Sequence, residues 1–250
     1  MSAPPLAGLG MCLPGPHYSL LLRWHLGEPI VTPDCAGRPC AACGAPVDVF
    51  GDHAVSCGKV GFGPRHRGVQ DFLCRMLTSA RLPHDREAPV AGSSKRPADV
   101  LLRGWDEGRD RALDITIVHL CPPSQGVFGP GVAGRLAKRA EDDKVKENGP
   151  VCDRVGWGFT PFVLDAWGGL HGASQPAWRD IAARAVRATP LALRPQELGL
   201  LRQGLGVSLA RAVAVQLDHL LEVPAEVPAW WAAVPSRQLA VDDAGNDVSW

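Results

Sequence analysis

The clearest chemistry in this sequence is carried by four residues. Cys40 and Cys43 form a C-x2-C pair, His53 follows after nine intervening residues, and Cys57 after three more. Three thiolates and one imidazole are the donor set of a tetrahedral zinc site with no position left for water. The implied role of Zn2+ is therefore structural rather than catalytic. The short spacer lets two sulfurs point at one ion, and Gly44 and Gly51 supply turns behind the first pair and before His53. The stretch 35–58 holds four of the eight cysteines and few aliphatic residues, so it needs a staple in place of a core. Two readings compete with zinc: a redox C-x-x-C, which lacks the expected βαβ context, and a set of unrelated buried thiols. Cys35 is a spare ligand, and Cys12, Cys74, Cys121 and Cys152 read as ordinary core or loop thiols.

A second group is acidic. Glu87, Asp99 and Asp114 lie around two strand-like stretches, with fourteen residues between Asp99 and Asp114, enough for one strand, a turn and the return. A hairpin of that size brings two carboxylates together. Clustered carboxylates suit a hard divalent cation such as Mg2+, which wants oxygen ligands and keeps several waters. Such an ion can activate a bound water and stabilise charge on a phosphoryl group. Asp114 precedes Ile, Thr, Ile and Val, and a charge in so apolar a strand is costly unless paired or metal-bound. The alternative is that Asp99 and Asp114 are simply exposed, or paired with Arg96, Arg103 or Arg111.

The elements that must position these groups follow from periodicity. Val69, Phe72, Leu73, Met76, Leu77 and Ala80 recur at helical spacing and predict an amphipathic helix closed by Pro83. Asp99–Leu102 and Ala112–Val118 predict strands joined by the polar turn 104–108, and Phe159–Leu164 a third strand. Residues 121–134 read as a loop, and 135–147 as a charged helix ended by Gly149-Pro150. Helices are expected over 177–188 and 195–221, the latter broken at Gly204 and Gly206. One short helix is expected near Leu20–Leu22, and an irregular tail from Val223. No internal repeat is present.

Composition bounds the rest. Of 250 residues 46% are apolar and 21% charged, enough to bury a core. Lys+Arg and Asp+Glu are both 26, so nucleic-acid binding requires local patches, not bulk charge. No run of eighteen apolar residues occurs, so no membrane span is expected, and the N-terminus does not read as a secretory signal.

The order of these motifs resembles a known family. The C-x2-C…H-x3-C knuckle is followed by Arg65-His66 opening a helix, then Glu87, Arg96-Pro97-Ala98-Asp99 and Leu113-Asp114-Ile115-Thr116. A helix with Lys144 and Lys146 comes next, then Phe159-Thr160-Pro161-Phe162-Val163-Leu164 and Gly168-Gly169. This series, over roughly residues 30–222, resembles the restriction-like endonuclease region of R2-like non-LTR retrotransposon proteins, and Leu201–Val215 is similar to that region's closing helix. The resemblance implies a PD-(D/E)xK fold and Mg2+-dependent cleavage of double-stranded DNA. Asp99 and Asp114 match the metal ligands, and Glu87 the acidic residue ahead of the motif. Position 116 is Thr where the pattern has Lys; the resemblance then points to Lys144 or Lys146 on the following helix as the catalytic lysine. It also implies nuclear localisation. The family carries a polymerase domain upstream, so the chain is expected to be a fragment that works with the rest of a retroelement protein, a degenerate copy, or a domesticated nuclease.

The expected fold class is α/β of the mixed α+β kind: a restriction-endonuclease-like core of a small mixed sheet flanked by helices. The expected divisions are a lead-in over 1–34, a zinc knuckle over 35–58, the nuclease-like core over 59–190, and C-terminal helices and tail over 191–250. Arg65, His66, Arg67 and Arg96 are the expected DNA contacts on a local positive face, His66 alternatively being a helix-start residue. Gly129-x-Gly131-x-x-Gly134 matches a dinucleotide fingerprint but follows a Pro-rich loop, so no nucleotide cofactor is expected. Trp230-Trp231 reads as core packing. The competing function classes are an active nuclease, a zinc-stabilised nucleic-acid-binding module that no longer cuts, and an unrelated zinc-stabilised interaction protein.

Overall fold

The structure is a computed structural model, and it describes residues 12–59, 63–90, 95–120 and 130–221. The chain divides into two compact units. One is formed by Cys12 and the described residues of Gly63–Val118 and Ala137–Ala210; the other gathers the described residues of 13–62, 119–136 and 211–250. Cys121, Gly129 and Trp230-Trp231 lie outside the described residues.

The first unit is built on a four-stranded mixed sheet in the order β1-β2-β3-β4: β1 (His84–Ala88), β2 (Ala98–Asp106), β3 (Arg109–Val118) and β4 (Gly158–Asp165). The first three strands are antiparallel, whereas β4 runs parallel to β3. The β2–β3 hairpin turns at Glu107 and Gly108, both in the left-handed region (φ 52° and 91°), as a two-residue primed turn requires. A parallel β3–β4 pair needs a crossover, supplied by α4 (Pro130–Arg154). α3 (Gly63–Ser79) packs across β1, β2 and β3, and α5 (Ser174–Arg187) lies against β4 and α3. The apolar stripe anticipated on α3 is buried at Val69, Leu73, Met76 and Leu77. Leu101 and Ala112, paired across β2 and β3, pack with Cys152 of α4, Trp157 and Phe159.

Two boundaries differ from the sequence expectation. α4 starts within the expected loop and runs through Gly149 and Pro150 to Arg154. Proline costs a helix one hydrogen bond, but Val151 and Cys152 are buried and continue the inward stripe begun by Ala137, so packing outweighs the local penalty. α6 (Arg194–Leu221) is unbroken at Gly204 and Gly206. Gly204 marks a close approach: a Cβ there would stand 2.9 Å from Phe72 Cζ, too near for any side chain. Residues 196–218 of α6 have the length and composition a membrane-spanning helix would need, which the sequence reading did not anticipate. Leu201, Leu205, Leu209, Val213 and Leu217 are nonetheless buried in the protein, the stripe of a core helix. Strand β1 and a short helix, α2 (Asp52–Ser56), were not anticipated.

In the second unit, α1 (Gly15–His25) buries Leu20, Leu21 and Trp24. The Trp24 indole N–H donates to Asp52 Oδ1 at 3.2 Å, and His119 Nε2 lies 3.1 Å from the same oxygen. Gln216 of α6 donates to the Ala54 carbonyl at 2.8 Å, tying α6 to α2.

Candidate functional site

The four knuckle residues converge within the second unit. Their ligand atoms all lie within 4.8 Å of one another, with Cys40 Sγ 3.9 Å from Cys57 Sγ and Cys43 Sγ 3.3 Å from His53 Nε2. Zinc with bonds of about 2.3 Å to sulfur and 2.0–2.1 Å to nitrogen spaces tetrahedral donors roughly 3.5–3.8 Å apart, so the cluster could hold a metal such as zinc. Local folding explains the convergence. The Cys40 N–H donates to the Ala45 carbonyl and the Gly44 N–H to the Cys40 carbonyl, both at 2.8 Å, with Gly44 at φ 78°. His53 and Cys57 are one helical turn apart across α2. Asp48 fixes the start of that helix, its carboxylate accepting from the N–H groups of Phe50, Asp52 and His53. Burial pushes the Cys40 thiol up, but hydrogen bonds from the Ala42 and Cys43 backbone and from the His53 and Cys43 side chains outweigh it. The thiol is brought down to about 6, which favours the thiolate.

The carboxylates meet in the first unit. β2 and β3 pair as far as Val100↔Leu113, and one step further along the same register places Asp99 beside Asp114. At that point the Asp99 carboxylate takes over from the ladder: its Oδ2 accepts the Ile115 N–H at 2.6 Å. The same oxygen lies 2.8 Å from His66 Nε2. Gln70, one turn along α3 from His66, donates to the Asp99 carbonyl at 2.9 Å and in turn accepts from Arg86. Oδ1 of Asp99 has no protein donor among the described residues.

Asp114 is buried, and both its oxygens are used. Lys144 Nζ lies 3.1 Å from Oδ1, and Asn148 Nδ2 donates to Oδ2 at 2.6 Å. Lys144 and Asn148 are one turn apart on α4, on the stripe that also carries Ala137, Glu141, Val151 and Cys152. Burial pushes the Asp114 carboxyl up to about 6; the Lys144 ammonium opposes the rise, and the Asp99 charge adds to it. The His66 imidazole is raised above its usual value, chiefly by its hydrogen bond to Asp99. Two carboxylates, one ammonium and one imidazole therefore stand together, and the charge of each bears on the protonation of the others.

The remaining sequence candidates fall elsewhere. Glu87 sits between the pairs Arg86↔Val100 and Ala88↔Ala98, in the same cross-strand row as Asp99, but in the left-handed region (φ 47°). Its side chain is half exposed and pairs with Arg96 at 3.3 Å. Lys146 is exposed, on the side of α4 away from Lys144. Arg67 and Arg96 are exposed, but the expected positive face loses Arg65. That guanidinium is fully buried, and burial brings its pKa down to about 10, so it is not placed to touch a phosphate on the surface. Asn148 and Gln70 were missed by sequence reasoning. Their one signal was helical spacing, four residues beyond Lys144 and His66. Thr116, at the position where the resemblance calls for Lys, has a buried hydroxyl with no hydrogen-bond partner among the described residues. No family model, curated protein or solved structure matches this chain.

Proposed function

We propose that this chain is a metal-dependent DNA endonuclease of the PD-(D/E)xK type, related to the nuclease region of R2-like retrotransposon proteins and stapled by a structural zinc at Cys40, Cys43, His53 and Cys57. The observation that carries the reading is the adjacency of Asp99 and Asp114 on neighbouring strands, with Lys144 against Asp114. An Asp in the middle of an apolar strand, raised toward neutrality by burial and by a second carboxylate, is a place where positive charge is in demand.

The donor set fits a hard divalent cation: carboxylate oxygens, one of them, Oδ1 of Asp99, without a protein donor among the described residues. Asp99 and Asp114 would hold Mg2+. When bound, the ion supplies an activated water and a counter-charge for the phosphoryl oxygens. The chain's own groups do the rest. His66 and the Ile115 N–H hold Oδ2 of Asp99 and so fix the direction of Oδ1. Asn148 holds Oδ2 of Asp114. Lys144 places an ammonium where negative charge develops on the scissile phosphate, a preorganised electrostatic contribution. The position of Glu87, turned to Arg96, and Thr116 in place of Lys favour the second reading, a nucleic-acid-binding module of the same ancestry that does not cut.

The experiment is plasmid nicking by the wild-type chain and Asp114→Asn with Mg2+ or Mn2+. Nicking that disappears in the variant, with DNA affinity preserved, supports the nuclease. Equal cutting by both proteins removes the catalytic assignment. DNA binding without cutting by either protein selects the inactive module.

A further inference from the structure

The turn after β4, α5 and α6 enclose a cleft of about 420 Å3 in the first unit that plays no part in the carboxylate chemistry. Leu170, Leu205 and Trp178 give it an apolar lining, and Arg179 and Arg202 stand at it from α5 and α6. Both guanidiniums are exposed, and neither forms an ion pair with a described residue. None of the residues lining the cleft is a carboxylate. Trp178 is otherwise buried, stacked obliquely near Phe72 with ring centroids 6.5 Å apart. The wall is fixed from within: Gln175 Nε2 donates to the Leu170 carbonyl at 2.9 Å.

We propose that this cleft binds one nucleotide unit of single-stranded nucleic acid, its phosphate held by Arg179 and Arg202 and its base set against Leu170 and the edges of Trp178 and Leu205 that reach the cleft. The inference rests on the reading of the chain as a DNA-handling protein and adds to it a second contact, for an unpaired strand. Three features select this ligand. Two arginines without carboxylate partners match a phosphodiester, which they can grip in bidentate fashion. An apolar and aromatic lining beside a cationic rim is the combination that binds single strands with little sequence preference. The volume is that of a small-molecule pocket, roughly 300–1,000 Å3, which admits one extruded base and excludes a duplex, whose bases are already stacked.

The test is binding by the chain in buffer without added Mg2+ or Mn2+ and without chelator, which withholds the cutting ion and leaves the zinc in place, read by fluorescence anisotropy on a labelled oligothymidylate and on a duplex of equal length. Arg179→Gln with Arg202→Gln should weaken single-strand binding about tenfold or more. It should also lower the slope of log K against log salt by roughly 0.7, the value for one lost phosphate contact on a single strand. Duplex binding should change little. Gly206→Met provides the second variant. A Cβ at Gly206 meets nothing within 4 Å, so the fold tolerates it, and a helix gains from losing a glycine; the longer side chain then fills the cleft. This variant should weaken the single strand and leave the salt slope unchanged. Unchanged single-strand affinity in both variants overturns the proposal, as does an equal loss for the duplex. The two readings fail separately. A chain that nicks DNA but ignores these substitutions loses only the cleft, while one that never nicks yet binds single strands through Arg179 and Arg202 loses only the nuclease.

Discussion

Lys144 Nζ stands 3.1 Å from Oδ1 of Asp114, while Lys146, two residues on, is exposed. Two residues along a helix rotate a side chain by roughly 200°, so only one of these lysines can serve a site on the sheet. Lys144→Met should therefore reduce nicking by two orders of magnitude or more, the scale at which a single preorganised electrostatic donor contributes. Lys146→Met should leave the rate within about twofold. Single-turnover nicking at saturating protein reads the difference. Equal losses would mean that charge on α4, not the position of the ammonium, is what matters.

The zinc assignment makes a separate demand. The purified chain should carry one zinc ion per molecule by elemental analysis, released by a thiol-reactive mercurial and detected with a chromogenic chelator. Cys57→Ser should lose the metal and lower the melting temperature, because a structural zinc contributes folding energy directly. Cys35→Ser should keep it, since Cys35 is outside the cluster of four. Full zinc in Cys57→Ser would exclude the cluster as the binding site.

Where local pattern and packing agreed, the fold was legible in the sequence. The α3 stripe and the β2–β3 hairpin follow from hydrophobic period and turn residues, and the Cys/His cluster from donor spacing alone. The pairing of Asp99 with Asp114 was legible as soon as the hairpin was, because a short antiparallel connection fixes which residues face one another. What failed was punctuation. Gly149-Pro150 and Gly204 read as stops, yet both stand inside helices, since the burial of Val151 and Cys152, and the approach of Phe72 to Gly204, are tertiary facts invisible to a local rule. Arg65 failed for the same reason. An arginine beside two other basic groups reads as surface, and only its phase on α3, in register with Val69 and Leu73, turns it inward. Strand β1 was hidden by its charge: in His84-Asp85-Arg86-Glu87-Ala88 only the last residue is buried.

The hairpin that carries the site has its own pH dependence. Asp110 is held below its ordinary 3.8 first by the Gly104 N–H and then by the Arg103 guanidinium, against some burial. The Gly104 contact is 2.8 Å and the Arg103 contact 2.5 Å. A carboxyl lowered on folding stabilises the fold above its unfolded pKa, and that contribution is lost as pH falls through the folded value. Asp110→Asn should therefore lower the melting temperature near neutral pH by roughly 2–4 °C, for a loss of about 1 kcal/mol. The gap to wild type should close as the pH drops below about 3.8. A gap independent of pH would show that the hydrogen bonds matter without the charge.

His66 separates two roles that the sequence alone left open, a phosphate contact or a structural residue at the start of a helix. Its Nε2 lies 2.8 Å from Oδ2 of Asp99, the oxygen that also takes the Ile115 N–H at 2.6 Å. The imidazole is thus committed to holding a carboxylate, and Oδ1 of Asp99 is the atom it leaves aimed. His66→Ala should free that carboxylate to rotate and should lower kcat for nicking by tenfold or more, with little change in KM. A phosphate contact behaves oppositely. Its loss would weaken DNA binding and reduce the salt slope by roughly 0.9 for a duplex, leaving the rate at saturation nearly intact. His66→Gln keeps a donor close to the position of Nε2 and should restore part of kcat. Loss of binding with an unchanged rate at saturation would return His66 to the phosphate backbone and leave Asp99 held by Ile115 and Gln70 alone.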